Sequence, residues 1–384
     1  MYTHAFAPSM GGVETYVMLL AEGLSTLAVE KHGSFEVTVV TQTPARDMDD
    51  SRVPYRIVRR PGHLALAKLV RNTDVIHAAG PAFPPLVFGR LFRKPVIVEH
   101  SGYQSICPNG MLLYGSERTL CPSHFLARRY RECIRCNTND WGWARSVRGL
   151  LLTFPRRWLC RRVARNVGPS RHIASRSALP NTEVIFHGVP RATMPTYEKG
   201  KNEPVCFAYV GRLVIEKGVP VLLRAASHLA KSGFDFRVRI LGDGPERGNL
   251  ETMSQQLALS DRIEFLGSVP MEKVPEILGR TDAIVIPSVW EEVAGLSAIE
   301  QMMRGRLVIA SDIGGLREEV ADAGMIFPAG DAVALAKCLR RVLEKPETAV
   351  ELGDTARARA LELFNRDRMV ERHASIYRRV LQCS

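Results

Sequence analysis

Residues 206–229 read CFAYVGRLVIEKGVPVLLRAASHL, and this stretch decides the fold. An apolar run, Cys206-Phe207-Ala208-Tyr209-Val210, ends on Gly211, and helical periodicity follows from Val219 to Leu229. A short run closed by glycine and continued by a helix is one strand–turn–helix unit. The unit repeats. Further β-branched runs stand at 238–241, 263–266, 283–286, 307–310 and 325–327, with a second helical stretch over 333–343. Strands alternating with helices bury both faces of a sheet, which predicts a parallel, doubly wound, Rossmann-like α/β domain.

Toward the N-terminus the same rhythm is looser, with strands expected at 35–40, 75–77, 95–99 and 183–186. Residues 191–204, RATMPTYEKGKNEP, are polar and hold Pro, Gly and Lys, the composition of an interdomain linker. The expected organisation is a first Rossmann-like domain over 1–190, a linker over 191–204 and a second domain over 205–365. A C-terminal helix over 366–384 is expected to pack back toward the first domain, with the two domains facing across a cleft. Only six residues of weak strand character precede Ala7-Pro8 and the glycine turn at Gly11-Gly12. Either the chain starts late or the first sheet is a strand short or poorly formed.

The chain has 384 residues, 24% of them charged, with 52 Lys+Arg against 40 Asp+Glu and a net charge of +12. These figures exclude a disordered or fibrous protein, and no apolar run approaches the roughly 18 residues that span a bilayer. No basic flank and apolar segment of the secretory type is visible at the start, so a cytoplasmic location is expected. The charge is localised. Between His124 and His172 stand twelve Arg, no Lys and two acids (Glu132, Asp140), a net of +10. Such a block reads as a patch for phosphates, anionic lipid or nucleic acid, or as helices with solvated Arg edges. Four of the eight Cys fall in one segment over 101–140: Cys107, Cys121, Cys133 and Cys136. The last pair is a C-x-x-C, but the wider spacing is irregular, leaving a metal site and plain buried thiols both open.

In an open parallel sheet the ligand loops leave the carboxyl ends of the strands. Here they are Gly211-Arg212, Gly242-Asp243-Gly244-Pro245, Pro287-Ser288 and Ser311-Asp312-Ile313-Gly314-Gly315. Small residues there let backbone amides approach a ligand, and helix N-termini favour anions. Arg212 and Lys217 can set positive charge where a diphosphate would lie, or be ordinary surface cations. Glu292 and Glu300 flank a helix N-terminus at Gly295-Leu296. Eight helical residues rise about 12 Å, so the two carboxylates cannot grip one atom but can hold two ends of a long ligand.

The run SVWEEVAGLSAIEQMMRGRLVIASDIGGLREEVADAG at 288–324 resembles the signature of family 4 glycosyltransferases, which have the GT-B fold. GRLVIEKG at 211–218 and LGDGPE at 241–246 are similar to two more of their motifs. FAPSMGGVE at 6–14 resembles their first glycine loop, and PVIVEH ending at His100 resembles their first-domain histidine. The resemblance covers the second domain almost wholly and the first in patches. Ala294 and Leu307 depart from the family pattern without removing a functional group.

This resemblance implies transfer of a sugar from a nucleotide-sugar, UDP- or GDP-linked, with retention of anomeric configuration and no required metal or other cofactor. It implies that Arg212 and Lys217 neutralise the leaving diphosphate, and that Gly242 and Gly244 help bind the donor. Glu300 would hold the ribose and Glu292 the transferred sugar, assisted by amides near Gly295 and Leu296. Gly11 and Gly12 would face the phosphates or the acceptor, with His100 beside the sugar. Leu150, Leu151, Phe154 and Trp158 beside Arg156, Arg157, Arg161 and Arg162 suit either an interfacial helix on an anionic membrane or a helix packed on its own sheet. The expected acceptor is a lipid-linked or surface-polysaccharide glycan at the inner membrane face. Two other readings are a nucleotide-sugar epimerase on the same fold and a non-enzymatic polyanion-binding protein. Nucleic acid is not expected as a partner, because aromatics for base stacking are few.

Overall fold

The computed structural model describes residues 1–9, 11–27, 35–46, 48–115, 118–192, 203–270 and 273–382, so most of the expected 191–204 linker lies outside the described residues. The chain divides into two compact units, Met1–Gly188 with Asn365–Ser384, and Val189–Phe364. Each is a parallel sheet carrying helices, the predicted fold class.

In the first unit the strands are β1 (Tyr2–Thr3), β2 (Thr38–Thr41), β3 (Arg56–Arg59), β4 (Ile76–Ala79) and β5 (Val96–Glu99). A hairpin, β6 (Leu113–Tyr114) and β7 (Thr119–Leu120), interrupts them before β8 (Arg165–Gly168) and β9 (Thr182–Val184). Among the described residues the sheet has seven strands in the order β3-β2-β1-β4-β5-β8-β9, all parallel. The expected shortfall at the start is resolved by a strand of two residues. Tyr2 pairs with Val40 on one side and Ala78 on the other, so β1 is central although short. The sequence reading missed β3 and β8, whose residues RIVR and RNVG carry too little apolar signal.

The helices of this unit are α1 (Gly12–Leu27), α2 (His63–Arg71), α3 (Phe83–Leu91), α4 (Tyr130–Trp141), α5 (Trp143–Cys160) and α6 (Arg171–Ser177). The N-cap Ser170 accepts from the Ile173 amide at 3.3 Å and sets the start of α6.

The second unit holds β10 (Val205–Val210), β11 (Phe236–Leu241), β12 (Ile263–Gly267), β13 (Ala283–Ile286), β14 (Leu307–Ser311) and β15 (Met325–Phe327). Their order is β12-β11-β10-β13-β14-β15, again all parallel. The helices are α7 (Val219–Lys231), α8 (Arg247–Gln256), α9 (Val274–Gly279), α10 (Leu296–Met303), α11 (Leu316–Val320), α12 (Ala332–Glu344) and α13 (Glu347–Leu363). Every residue of β13 and β14 is buried, as strands covered on both faces require. The core gathers Phe207, Tyr209, Phe236, Val285, Ile309 and Phe327 from five strands against Leu222, Leu335 and Leu339 of α7 and α12. The last helix, α14 (Arg366–Gln382), returns to the first unit, where Met369, Val370, Ala374 and Tyr377 join Tyr16, Val17 and Leu20 of α1 in one apolar cluster.

Strand order places the sites. In the second unit the winding reverses between β10 and β13, so the loops that follow these strands open side by side. In the first unit the reversal lies between β1 and β4.

Candidate active site

At the second unit's reversal, two loops 75 residues apart in sequence become neighbours. Lys217 Nζ donates to Glu292 Oε1 at 2.5 Å, and Ser288 Oγ donates to the same oxygen at 2.6 Å. Main chain locks the two loops together, with the Val289 amide donating to Glu216 O at 3.0 Å. Gly218 sits at φ +67°, and a side chain there would run into the Pro287 carbonyl oxygen. The sequence reading assigned Lys217 to a phosphate and Glu292 to a sugar; the structure brings them together as one ion pair. Glu292 is buried and Lys217 is partly exposed, so the carboxylate depends on its ammonium.

Arg212 stands apart from this pair. It is exposed, and its guanidinium has no hydrogen bond or ion pair among the described residues; the Tyr209 hydroxyl donates to its carbonyl at 2.7 Å and fixes the turn. Gly242 has φ +135°, and a side chain there would strike the Gly211 carbonyl oxygen. At Gly244 the obstacle would be the Leu213 backbone. Close packing of loop on loop therefore accounts for both glycines without invoking a ligand.

At the start of α10, the Gly295 amide is already occupied. Glu319, from α11, accepts it with both carboxylate oxygens at 3.0 and 2.9 Å. Burial pushes the Glu319 carboxyl up to about 8, against the lowering effect of that amide. Leu296, the first residue of α10, is buried at that terminus. Glu300 is half-buried one turn further on, and its carboxylate has no hydrogen bond or ion pair among the described residues. Burial raises its pKa, partly countered by Arg304. Sequence reasoning missed Ser288 and Glu319 as site residues. Ser288 was visible as a post-strand loop residue, whereas nothing in LREEV tells which of the two glutamates points inward.

In the first unit, Gly11 and Gly12 open α1, where the Gly11 carbonyl accepts from Thr15 at 3.0 Å. His100, directly after β5, is buried, and its Nε2 lies 2.8 Å from Asn166 Oδ1 on β8. Burial lowers its pKa, so the imidazole is neutral. The neighbouring Glu99 anchors a buried polar network. His187 Nε2 lies 3.2 Å from Glu99 Oε1, and His373 Nε2 of α14 lies 3.5 Å from Oε2. Tyr16 OH reaches His77 and His373 at 3.2 and 3.1 Å, and Tyr377 OH reaches His77 at 2.9 Å. Burial alone would raise the Glu99 carboxyl, but the two histidine hydrogen bonds outweigh it and bring it down to about 2.

Cys107, Cys121, Cys133 and Cys136 are free thiols, three of them buried. Burial raises Cys107 and Cys136 and pushes Cys133 up to about 12. Among the described residues no three His, Cys, Asp or Glu form a group that could hold a metal ion. The basic block follows on α4 and α5. Leu150 is buried against the unit, while Leu151, Phe154 and Trp158 face out at 61, 40 and 44% exposure. Arg156 and Arg157 are partly committed, to Gln104 O and to the carbonyls of Ser177 and Ala178. Among the described residues no helix is long and apolar enough to cross a membrane.

Residues 194–359 match the family model described as glycosyl transferases group 1. A 2-deoxystreptamine glucosyltransferase from Streptomyces kanamyceticus is 36% identical over 140 residues, which is 36% of this chain and 36% of that protein. The chain spans about half or less of the length of the curated relatives it matches. A sucrose-phosphate synthase from Thermosynechococcus elongatus superposes with a TM-score of 0.73 at 22% identity, over 97% of this chain and 94% of that one. Anabaena HepE in complex with UDP-glucose superposes with a TM-score of 0.69 at 16% identity, over 97% of each chain. Residues 194–359 are thus similar to the group 1 glycosyltransferases, and the chain has the GT-B fold of two Rossmann-like domains seen in its structural neighbours.

Proposed function

We propose that the protein is a retaining glycosyltransferase that moves a sugar from a UDP- or GDP-sugar to a lipid-linked or surface-polysaccharide acceptor. The observation that carries this reading is the constellation at the second unit's strand reversal. A buried Glu292 is held by Lys217 and Ser288, while the guanidinium of Arg212 on the neighbouring loop and the carboxylate of Glu300 on α10 have no hydrogen bond or ion pair among the described residues. Sequence relatives named as glycosyltransferases and a structural neighbour bound to UDP-glucose support a nucleotide-sugar donor.

In this mechanism the acceptor oxygen bonds to the anomeric carbon as the bond from that carbon to the β-phosphate oxygen breaks. The acceptor's proton passes to the departing phosphate oxygen on the same face, which preserves configuration and needs no protein base. Arg212 and Lys217 stabilise the charge that develops on the diphosphate. Glu300 accepts from the ribose hydroxyls and Glu292 from the transferred sugar. The amides of Gly295 and Leu296 assist once Glu319 yields the first of them. Gly242 and Gly244 shape the donor loops, and Gly11, Gly12 and His100 serve the acceptor and sugar side. The reaction takes place at the inner face of the membrane, with the enzyme a peripheral protein.

A panel of UDP- and GDP-sugars, followed by NMR of the anomeric product, tests this directly. Turnover of one donor with retention is expected, persisting after chelation. Glu300→Ala should weaken donor binding and cut transfer by about 100-fold or more, since the donor is no longer anchored through its ribose. An inverted product, a strict metal requirement, or normal turnover by the variant would overturn the reading.

A further inference from the structure

The surface of the first unit carries a groove of about 960 Å³ between α5 and the turn that leads into α4. Part of its lining is aromatic. Phe125, Tyr130 and Phe154 form a packed triad with ring centroids 5.1 to 5.8 Å apart, and Trp158 continues it along α5. The lining is also cationic: it includes Arg128, Arg157, Arg161 and Arg162, and no acidic residue. None of the four makes an ion pair among the described residues. Phe154 and Trp158, four residues apart, share one face of α5, and Arg161 and Arg162 follow in the turn that ends the helix. Arg162 lies over the Trp158 ring at 4.1 Å, and Arg90 of α3 over the same ring at 5.1 Å.

Two features of this groove call for a ligand. Four like charges held together without a counter-ion repel one another, and an anion relieves that repulsion. Guanidiniums match phosphate oxygens in geometry as well as charge. The aromatic residues, with Phe154 at 40% and Trp158 at 44% exposure, leave ring surface in water that a flexible apolar chain would cover. A bare anion uses only the first feature, and a neutral hydrocarbon only the second.

We propose that this groove binds one molecule of a phosphate-headed amphiphile, its phosphate among Arg128, Arg161 and Arg162 and its chain along Phe154 and Trp158. Arg157 is partly tied to the carbonyls at the end of α6, so it contributes charge from a fixed position. The binding does not depend on the transferase reading. The residues involved are outside the Lys217–Glu292 constellation, so binding and turnover can fail separately.

Calorimetry on the full chain tests the proposal with decyl phosphate below its micelle concentration as the probe. Inorganic phosphate, decanol and decyltrimethylammonium are the comparators. Decyl phosphate should bind at least ~10-fold more tightly than either phosphate or decanol, and the cationic amphiphile should not bind. The double variant Arg161→Gln/Arg162→Gln replaces exposed side chains, so it should fold normally and weaken decyl phosphate by ~10-fold or more. Trp158→Ala, also at an exposed position, should weaken decyl phosphate but leave inorganic phosphate unchanged. Equal affinity for anionic and cationic amphiphiles, or unchanged binding in both variants, would overturn the site. So would sedimentation with phosphatidylglycerol vesicles in the absence of any binding of monomeric decyl phosphate, because that result assigns the face to a membrane surface instead.

Discussion

A buried carboxylate that places both oxygens on one backbone amide, as Glu319 does at Gly295, is poorly compensated for its burial. Glu292, Glu318 and Lys217 are the charged groups around it, and burial still dominates, pushing its carboxyl from 4.5 to about 8. The folded state therefore binds more protons than the unfolded one between these values, and stability falls as pH rises through that window. Glu319→Gln keeps a hydrogen-bond acceptor without the charge. Thermal melts of the variant and the parent should diverge as pH is raised from about 5 to about 9, with the variant ahead by on the order of 1 kcal/mol or more at the alkaline end. A constant offset across that range would mean that Glu319 keeps an ordinary carboxyl. The inward choice of Glu319 over its neighbour was not legible in LREEV, because adjacent charged residues give a helix no apolar contrast to orient by.

At the scale of loops and helices, glycine usage is decided by packing between loops. Gly242 lies against Gly211, and its φ of +135° is one that residues with a side chain avoid. Gly242→Ala should cost about 2–4 kcal/mol, read as a lower unfolding midpoint of the second unit, because the added side chain meets the Gly211 backbone. An alanine tolerated within a few tenths of a kcal/mol would return Gly242 to a purely ligand-facing role. Helix α5 makes the complementary point. Its sequence left two readings open, an interfacial helix or one packed on its own unit. The structure divides the helix, with Leu150, Thr153 and Leu159 buried and Leu151, Phe154 and Trp158 outside.

Across the whole first unit, the network of Glu99, His77, His187, His373, Tyr16 and Tyr377 joins β4, β5 and α1 to the last helix, α14. His77 is held neutral mainly by burial, its pKa lowered from 6.5 to about 3. The unfolded state therefore takes up a proton across that interval and the folded state does not, so stability is lost as pH falls from about 6.5. The ionised Glu99, lowered from 4.5 to about 2, adds a second loss as pH falls below 4.5. Urea titrations between about pH 7 and pH 3 should show this unit weakening steadily. His77→Gln should flatten the upper part of that slope while lowering stability at neutral pH by about 1–3 kcal/mol through lost hydrogen bonds. An unchanged slope would remove His77 from the acid response. Alternation of strand and helix, the glycine loops that end strands and the doubly wound fold were all readable from residue order, because hydrophobic periodicity is a local property of the chain. The meeting of Lys217 with Glu292, the joining of the polar β8 into a sheet and the gathering of three histidines around Glu99 were not. Those contacts depend on which strands lie next to each other, and strand order is set by packing of the whole unit rather than by any window of sequence.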